Sequence, residues 1–279
     1  MSKLVENYLL QEAIGKGVYG QVHRAIHQKT KKEYAVKAIP KSSFKTNPKL
    51  EQLAINEINI LSTLKHPNIV RFIETLKTPN NFYFVYEYCN CGTLESMLHT
   101  KKQLPEAQAL IIFRQLLEAF KELNKNNIMH RDLKPDNIFF SDGQVKLGDF
   151  GFCKMLEVNM AQTMLGSPIY MAPEILKEEI YTLKADIWSL GVVLFEMLFG
   201  FCPYESSSIS QLINVIKDTE LVIPKDINPI SEECEALIRK MLVKDQFKRI
   251  EWVDLFDYRI DIDGKILAGN KKDLGIEAL

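Results

Sequence analysis

Three residues within one short stretch, IMHRDLKPDNIFF, could carry chemistry together: an acid, a cation and a carboxamide at Asp132, Lys134 and Asn137. Transfer of a phosphoryl group to a hydroxyl needs an oxygen that orients the proton, a cation beside the migrating group and oxygen ligands for a metal ion. The three residue types supply those three needs. The stretch therefore predicts a loop, between a helix and a strand, that is equipped for phosphoryl transfer.

A further carboxylate follows in the stretch KLGDFGF, where Asp149 comes directly after a predicted strand. Gly151 allows the backbone to turn away after it. Mg²⁺ prefers carboxylate and phosphate oxygens, and an aspartate at the end of a strand is well placed to supply one. Asp149 and Asn137 are therefore the predicted metal ligands.

Three glycines, Gly15, Gly17 and Gly20, lie in the stretch IGKGVYGQVHRA. This pattern alone is weak evidence for a ligand, because glycines also serve hairpin turns in which positive φ is required. A dinucleotide-binding fold would need a helix directly after the third glycine. A strand is predicted there instead, which favours a glycine-rich flap over phosphates between two strands.

Lys37 is embedded among apolar residues in the next predicted strand, YAVKAIP. A strand lysine commonly faces solvent, but under a phosphate-covering flap it would need an anion to hold it. Glu57 is the candidate, because a helical pattern over NEINIL places it beside Ile58 and Leu61. The alternative, a solvated glutamate, stays open at this point.

The elements around these residues change in character near Glu87. Before it, the pattern predicts several strands and one main helix. After CNCGT the pattern predicts mainly helices, with a hinge near residues 88–92. The turn signal Ser141-Asp142-Gly143 predicts a hairpin between two short strands. The apolar stretch SLGVVLFEMLFGF is too short for a bilayer span of roughly 20 residues and predicts a buried helix.

Composition limits the remaining function classes. Hydrophobic residues make up 46% and charged residues 25% of the 279 positions, and the formal net charge is -1. This balance argues against a nucleic-acid binder that relies on basic charge. Five cysteines at irregular spacing fit neither a disulfide framework nor a zinc site. With no signal peptide or membrane span predicted, a cytoplasmic location is expected.

Taken in order, the motifs resemble the signature series of the eukaryotic-type protein kinases: the glycine flap, AVK, HRDLKPxN, DFG, APE and DIWSLG. The resemblance covers roughly Tyr8 to Tyr258, and a lysine after HRDL is typical of serine/threonine kinases. It implies an α+β, bilobal protein-kinase fold over residues 1–258. The small N-lobe (1–87) is an antiparallel sheet with one main helix, the hinge is at 87–92, the C-lobe (88–258) is mostly helical, and 259–279 form a C-terminal extension.

The resemblance also implies roles for individual residues. Asp132 would orient the substrate hydroxyl, Lys134 would neutralise the transferred phosphoryl group, and Lys37, paired with Glu57, would hold the ATP phosphates. Asn137 and Asp149 would bind Mg²⁺ or Mn²⁺. The implied ATP-binding set is Ile14, Gly15, Gly17, Gly20, Val22, Ala35, Lys37, Tyr86 as gatekeeper, Glu87, Cys89 and Phe139.

The stretch AQTMLGSPIYMAPEIL then corresponds to the activation and substrate-docking loops. Thr163 is the candidate phosphorylation site, with Arg131 and Lys154 as the cations that would order the phosphorylated loop. Ser167 is expected to hydrogen-bond Asp132 and Lys134. Glu174 of APE is expected to pair with Arg249, the alternative being two unrelated surface charges.

Within the kinases, GSPIYMAPE and DFGFCK are most similar to the autophagy-initiating ULK-type kinases, with calcium/calmodulin-dependent and NIMA-type kinases as alternatives. The resemblance implies ATP and protein or peptide substrates as binding partners, and no nucleic acid. A pseudokinase, which would serve as a nucleotide-binding scaffold of the same fold, is the alternative from another functional class. Degraded motifs would favour it, yet Lys37, Glu57, Asp132, Asn137 and Asp149 are all present.

Overall fold

The computed structural model describes residues 3–17, 20–46, 48–152, 154–155 and 167–267. The chain divides into two compact units, one formed by Met1–Gly92 with Phe139–Cys153 and the other by Thr93–Ile138 with Lys154–Leu279. The strands are β1 (Lys3–Val5), β2 (Tyr8–Gly17), β3 (Gly20–His27), β4 (Glu33–Pro40), β5 (Phe72–Lys77), β6 (Asn81–Glu87), β7 (Ile128–Met129), β8 (Ile138–Ser141), β9 (Gln144–Leu147), β10 (Lys154–Met155), β11 (Arg259–Ile260) and β12 (Ile266–Leu267). The helices are α1 (Lys41–Thr46), α2 (Pro48–Thr63), α3 (Leu94–Lys101), α4 (Glu106–Lys125), α5 (Pro173–Leu176), α6 (Lys184–Phe199), α7 (Ile209–Asp218), α8 (Glu232–Met241) and α9 (Trp252–Phe256).

The first unit is built on a six-stranded antiparallel sheet in the order β1-β2-β3-β4-β6-β5. Side chains alternate between the two faces of a strand. One face therefore carries a compact apolar core that includes Val36 of β4 and Val85 of β6. The opposite face carries their strand neighbours, among them Lys37 and Tyr86. The predicted antiparallel sheet is confirmed, although the three-residue strand β1 was not predicted.

Helix α2 supplies the main helix of this unit. Pro48 stands at its start, where a missing N–H costs nothing. Its buried residues include Ala54, Glu57, Ile60 and Leu61, which recur at the spacing of one helical face. The short helix α1 precedes it and was not predicted.

The hairpin of β8 and β9 completes the first unit. Its turn takes left-handed φ angles of 50° at Asp142 and 78° at Gly143, as the sequence signal predicts. Val70 donates its backbone N–H to the Leu147 carbonyl at 2.8 Å, which attaches β9 to the segment before β5. The Asp149 motif that follows β9 is thereby fixed to the sheet-based unit.

The second unit is mainly helical. Helix α4 buries one face, with Leu110, Phe113, Leu117 and Phe120 as predicted. Helix α6 is buried on nearly all sides, which explains the long apolar stretch in its sequence. It ends at Gly200, whose φ of 81° is the left-handed conformation that closes many helices. Together the two units confirm the predicted fold class.

The structure describes the segment after residue 258 as far as residue 267. Strands β11 and β12 form a small hairpin, and Arg114 of α4 donates to the Ile260 and Asp261 carbonyls at 3.3 and 2.9 Å. The first part of the predicted extension is therefore joined to α4. Residues 268–279 lie outside the described part of the chain.

Two expectations from the sequence concern the cysteines and the absence of a membrane-spanning helix. Cys89, Cys91, Cys202 and Cys234 are free thiols, and Cys153 lies outside the described residues. Over the residues that the structure describes, no helix combines the length and apolarity needed to cross a bilayer.

Candidate active site

Asp132 lies at the centre of a hydrogen-bond network in the second unit, and only 4% of its surface is exposed. Asn137 donates its side-chain amide to the Asp132 carboxylate at 3.0 Å and to the Asp132 backbone carbonyl at 2.7 Å. Ser167 donates its hydroxyl to the other carboxylate oxygen at 3.0 Å. The carboxylate is therefore held in one orientation from two sides.

Lys134 completes this network. Its ammonium lies 3.4 Å from the Asp132 carboxylate and donates to the Ser167 hydroxyl at 2.9 Å. Ser167 thus bridges the acid and the cation, as the sequence predicts. An oriented carboxylate beside a partly exposed ammonium can accept a hydroxyl proton while the cation balances an anionic group. These catalytic roles remain predictions.

The loop that carries Asp132 is fixed by Asp186 at the start of α6. The two carboxylate oxygens of Asp186 accept the backbone N–H groups of His130 and Arg131 at 2.8 and 3.0 Å. Burial raises the pKa of Asp186, and these hydrogen bonds oppose that effect. Arg131 has a φ of 67°, in the left-handed region that costs free energy for a residue with a side chain. The surrounding contacts sustain this strained backbone next to the candidate acid.

In the first unit, Lys37 and Glu57 form a buried ion pair. The Lys37 ammonium donates to the two Glu57 carboxylate oxygens at 3.1 and 2.8 Å, and the residues are 6% and 2% exposed. Burial alone would lower the pKa of Lys37, but the charges of Glu57 and Asp149 outweigh it and the pKa lies above its ordinary value. The expected pairing is present, and a solvated Glu57 is excluded.

Four of the predicted ATP-binding residues share one face of the sheet. Val22 of β3 pairs with Lys37, and Ala35 of β4 pairs with Tyr86 of β6, so all four side chains point the same way. Gly15 pairs with Val22 at the strand ends. This is the face opposite the apolar core, and α2 covers part of it through Glu57.

The glycine motif closes the β2–β3 hairpin, with Gly17 paired to Gly20 and a strand after the third glycine. A Cβ on Gly20 would lie 1.9 Å from the Ala38 carbonyl oxygen, so packing alone requires glycine there. Ile14 is exposed beside the motif, and residues 18 and 19 lie outside the described part. A hairpin of this kind is what the flap interpretation predicts.

Three further predicted ATP-binding residues lie at the end of β6, in the connection after it and on β8. Glu87, the last residue of β6, donates its backbone N–H to the Arg71 carbonyl at 2.9 Å. Burial raises the pKa of the Cys89 thiol, which stays protonated. Phe139 packs so tightly on Gly148 that a Cβ there would approach its ring to 2.8 Å.

Asp149 adopts a φ of 54°, the left-handed backbone that costs free energy outside glycine. Within the described residues, no group of three or more His, Cys, Asp or Glu could hold a metal ion. Magnesium sites that act on phosphates commonly use one or two protein oxygens together with the substrate phosphates. Asp149 stays the predicted carboxylate ligand. The amide nitrogen of Asn137 donates to Asp132, and its amide oxygen is the atom that could bind a cation.

The expected Glu174–Arg249 pair is present and fully internal. Arg249 donates from its two terminal nitrogens to the two Glu174 oxygens at 2.6 and 3.0 Å, and the arginine side chain is 0% exposed. The guanidinium also donates to the Lys184 and Val243 carbonyls and lies over the Trp188 ring. The alternative of two surface charges is excluded.

Tyr170 is anchored to α6 by two bonds. Its hydroxyl donates to the Glu196 carboxylate at 2.9 Å, and its carbonyl accepts from Ser189 at 2.8 Å. The pKa of Glu196 is raised to about 7, mainly by burial and further by the negative charges of Glu95, Glu205 and Asp136. The hydrogen bond from Tyr170 lowers this pKa but does not offset the increase. The sequence did not predict this pair.

Replacing Glu196 with glutamine should remove a pH dependence of stability. The folded chain binds a proton at Glu196 more tightly than the unfolded chain, whose pKa is near 4.5, so the free energy of unfolding falls as pH rises from 4.5 to about 7. The loss is on the order of 3 kcal/mol, at about 1.36 kcal/mol for each pKa unit. Urea unfolding at pH 5 and pH 8 should show the Glu196→Gln protein more stable than wild type at pH 8 only. Equal differences at both pH values would contradict the assigned shift.

The predicted phosphorylation site and its predicted cation are not both described by the structure. Thr163 lies outside the described residues. Arg131 is buried, and its guanidinium lies 3.5 Å from the Tyr181 hydroxyl. Their proposed functional relation stays a prediction.

Comparison with known proteins places these features in a family. The profile described as Protein kinase domain matches residues 8–259. Relatives include serine/threonine-protein kinase ATG1a of Arabidopsis thaliana, 39% identical over 92% of this chain and 42% of its own length. Serine/threonine-protein kinase atg1 of Dictyostelium discoideum is 38% identical over 92% of this chain and 39% of its own. Human serine/threonine-protein kinase ULK3 is 36% identical over 90% of this chain and 54% of its own length. The chain thus spans about half or less of the length of these relatives, and the predicted similarity to ULK-type kinases is confirmed.

Proposed function

The chain belongs to the protein kinase family and its relatives are serine/threonine kinases, and from this premise we propose that it is an active enzyme. It transfers the γ-phosphoryl group of ATP to serine and threonine hydroxyls of protein substrates. The observation that carries the proposal is the Asp132 network. A buried carboxylate held by Asn137 and Ser167 beside Lys134 is costly to maintain, and a scaffold that only bound nucleotide would not need it.

Asp132 acts on the substrate hydroxyl in this scheme. Its carboxylate oxygens are oriented before the substrate arrives, so one of them can accept the hydrogen bond of the attacking hydroxyl and take its proton as the phosphoryl group moves. Lys134 balances the negative charge on the transferred group. Ser167 holds acid and cation together, and we assign it to the recognition of hydroxyl substrates.

The sheet-based unit holds ATP. Val22 and Ala35 offer an apolar surface to the adenine from the same face that carries Lys37. The Lys37 ammonium binds the α- and β-phosphates and keeps its charge because Glu57 pairs with it. The main-chain groups of Glu87 and Cys89 meet the polar edge of the adenine, and Phe139 and Ile14 contact its faces.

Magnesium is the proposed cofactor, with Asp149 and Asn137 as its protein ligands. When bound, the ion would supply positive charge that offsets the negative charge of the ATP phosphates and of the transition state. The protein contributes oxygens only, which suits a hard cation such as Mg²⁺ or Mn²⁺. Asp149 also adds to the field that keeps Lys37 protonated.

A mixture of serine, threonine and tyrosine peptides tests the proposed activity. With ATP labelled at the γ position and Mg²⁺, label should appear on serine and threonine but not on tyrosine. Removal of divalent cations with a chelator should abolish it. Binding of ATP without transfer to any peptide would instead establish the pseudokinase alternative.

Activation by phosphorylation of Thr163 is a further part of the proposal. Phosphate there would add about two negative charges, for which Arg131, next to Asp132, and Lys154 would supply the cations. The Thr163→Ala protein should lose most of its activity, on the order of tenfold, whereas Thr163→Glu should restore it only in part. Mass spectrometry of the assayed samples gives the phosphorylation state. A fully active Thr163→Ala protein that carries no loop phosphate would contradict the switch.

The pathway is proposed from likeness alone. Because its relatives are ATG1 and ULK kinases, we assign the chain to autophagy-related signalling in the cytoplasm. Cells that lack the protein should form fewer autophagosomes on starvation. Normal numbers in such cells would remove this assignment without affecting the proposed activity.

A further inference from the structure

Glu57 has a second partner besides Lys37. The Tyr86 hydroxyl donates to the Glu57 carboxylate at 2.7 Å, and the oxygen that accepts it also accepts from Lys37 at 3.1 Å. The other carboxylate oxygen accepts from Lys37 at 2.8 Å. One buried carboxylate therefore receives three hydrogen bonds from two residues of the sheet.

The register of the sheet explains how both donors reach one acceptor. Lys37 of β4 pairs with Phe84 of β6, and Ala35 pairs with Tyr86. Tyr86 is thus the diagonal neighbour of Lys37 on the same face, a separation that long and aromatic side chains can bridge. Both polar tips converge on α2 at Glu57.

The ring of Tyr86 is held in place independently of its hydroxyl. It is 9% exposed and packs edge-on against Phe72 of β5, with ring centroids 5.8 Å apart. Phenylalanine would keep this packing. The hydroxyl can accordingly be removed without opening a cavity larger than one oxygen atom.

The protonation state of the tyrosine suits a donor. Burial raises the pKa of Tyr86 well above its ordinary value, and the neighbouring charges of Glu57 and Asp149 raise it further. The raised pKa favours the protonated hydroxyl, which is the donor in the hydrogen bond to Glu57.

We propose that Tyr86 is a positioning residue, whose hydroxyl holds Glu57 and, through it, Lys37 and helix α2 in the arrangement that phosphoryl transfer requires. This inference rests on the proposed function. The side chain of a glutamate has several rotatable bonds, and so does that of a lysine. With Lys37 as its one partner, the Glu57 carboxylate could therefore move together with the lysine. A second donor, from a different strand, fixes the carboxylate against the sheet.

The Tyr86→Phe protein tests this assignment. We expect kcat about tenfold lower, equivalent to about 1.4 kcal/mol in the barrier. The KM for ATP should change less than about twofold, because the ring and the sheet face that meet the nucleotide are unchanged. A loss of packing alone would not separate kcat from KM in this way. Unchanged kcat would overturn the assignment.

Tyr83→Phe is the matched control. Tyr83 lies on the same strand but on the opposite face, and its hydroxyl accepts hydrogen bonds from Lys3 at 2.8 Å and Asn81 at 3.2 Å. Removing this hydroxyl should leave kcat unchanged. In a Glu57→Gln background, Tyr86→Phe should lower the remaining kcat less than about twofold, because both changes act on one contact. A full tenfold further loss would show that Tyr86 acts by another route.

Hydrogen exchange of α2 gives a readout that needs no activity. Amides of residues 48–63 should exchange several-fold faster in Tyr86→Phe than in wild type, with no such change in Tyr83→Phe. Identical exchange in all three proteins would overturn the assignment. If wild type transfers no phosphate, the proposed function fails, but this exchange measurement still decides whether Tyr86 holds α2.

Discussion

Replacing Asp132 with alanine should lower the rate of phosphoryl transfer by about 10²–10⁴-fold, the range typical of a positioned acid–base group. The loss should fall on kcat, because Asp132 belongs to the helical unit and the predicted adenine and phosphate contacts of Val22, Ala35 and Lys37 are untouched. Steady-state kinetics with varied ATP, together with an equilibrium measurement of nucleotide binding, separates the two effects.

The Asp254→Ala protein serves as the control for this change. Asp254 is an exposed aspartate on α9 of the same unit, and its removal should leave kcat within about twofold of wild type. Thermal unfolding of both variants checks that the fold is intact. An Asp132→Ala protein that is folded and as active as the control would remove Asp132 from the chemistry.

Glu174→Gln should produce the largest loss of stability. The change leaves the Arg249 guanidinium buried at 0% exposure without its charged partner, and breaking a buried pair in this way costs about 3–5 kcal/mol. With roughly 2–4 °C for each kcal/mol in a chain of this size, the Tm should fall by about 6–20 °C. Chemical denaturation followed by tryptophan fluorescence gives the free energy, since Trp188 lies against Arg249.

The same substitution at Glu251 provides the comparison. Glu251 pairs with Lys184 at 2.6 Å but is 58% exposed, so Glu251→Gln should cost less than about 1 kcal/mol. Both changes remove one carboxylate charge from a single ion pair in the same unit. Equal effects on the free energy of unfolding would contradict the importance assigned to the burial of the Glu174 pair.

Much of the candidate site could be predicted from the sequence because its residues lie close together along the chain. Asp132, Lys134 and Asn137 share one loop, so residue types and spacing indicate the chemistry directly. The strand after Gly20 was predicted from alternation alone, and it correctly excluded a dinucleotide-binding fold. Lys37 and Glu57 are more distant, but each stood out as a charge among apolar residues.

The Tyr86–Glu57 bond could not be predicted, because it depends on the order and register of strands. Strand β6 lies between β4 and β5, so the chain order does not give the neighbours of β4. The apolar stretch NFYFVYEY contains three tyrosines, and its sequence does not indicate which of them faces α2. Only the pairing of Ala35 with Tyr86 assigns that face.

Glu196 escaped prediction for a different reason. It is a single acid within the apolar stretch of a helix that is buried on nearly all sides, and its partner Tyr170 comes from a loop before α5. The burial that raises its pKa results from packing in the helical unit and has no local sequence signal. The short elements β1 and α1 were also missed, since three to six residues show too little periodicity to be recognised.

A phosphoryl-transfer assay with wild type and Asp132→Ala in parallel tests the central claim most directly. Each protein is incubated with Mg²⁺, γ-labelled ATP and myelin basic protein, and label on the substrate is counted after acid hydrolysis into amino acids. Wild type should place label on serine and threonine, and the Asp132→Ala protein should place at least a hundredfold less. Equal transfer by both proteins, or none by either, would contradict the assignment of an Asp132-dependent serine/threonine kinase.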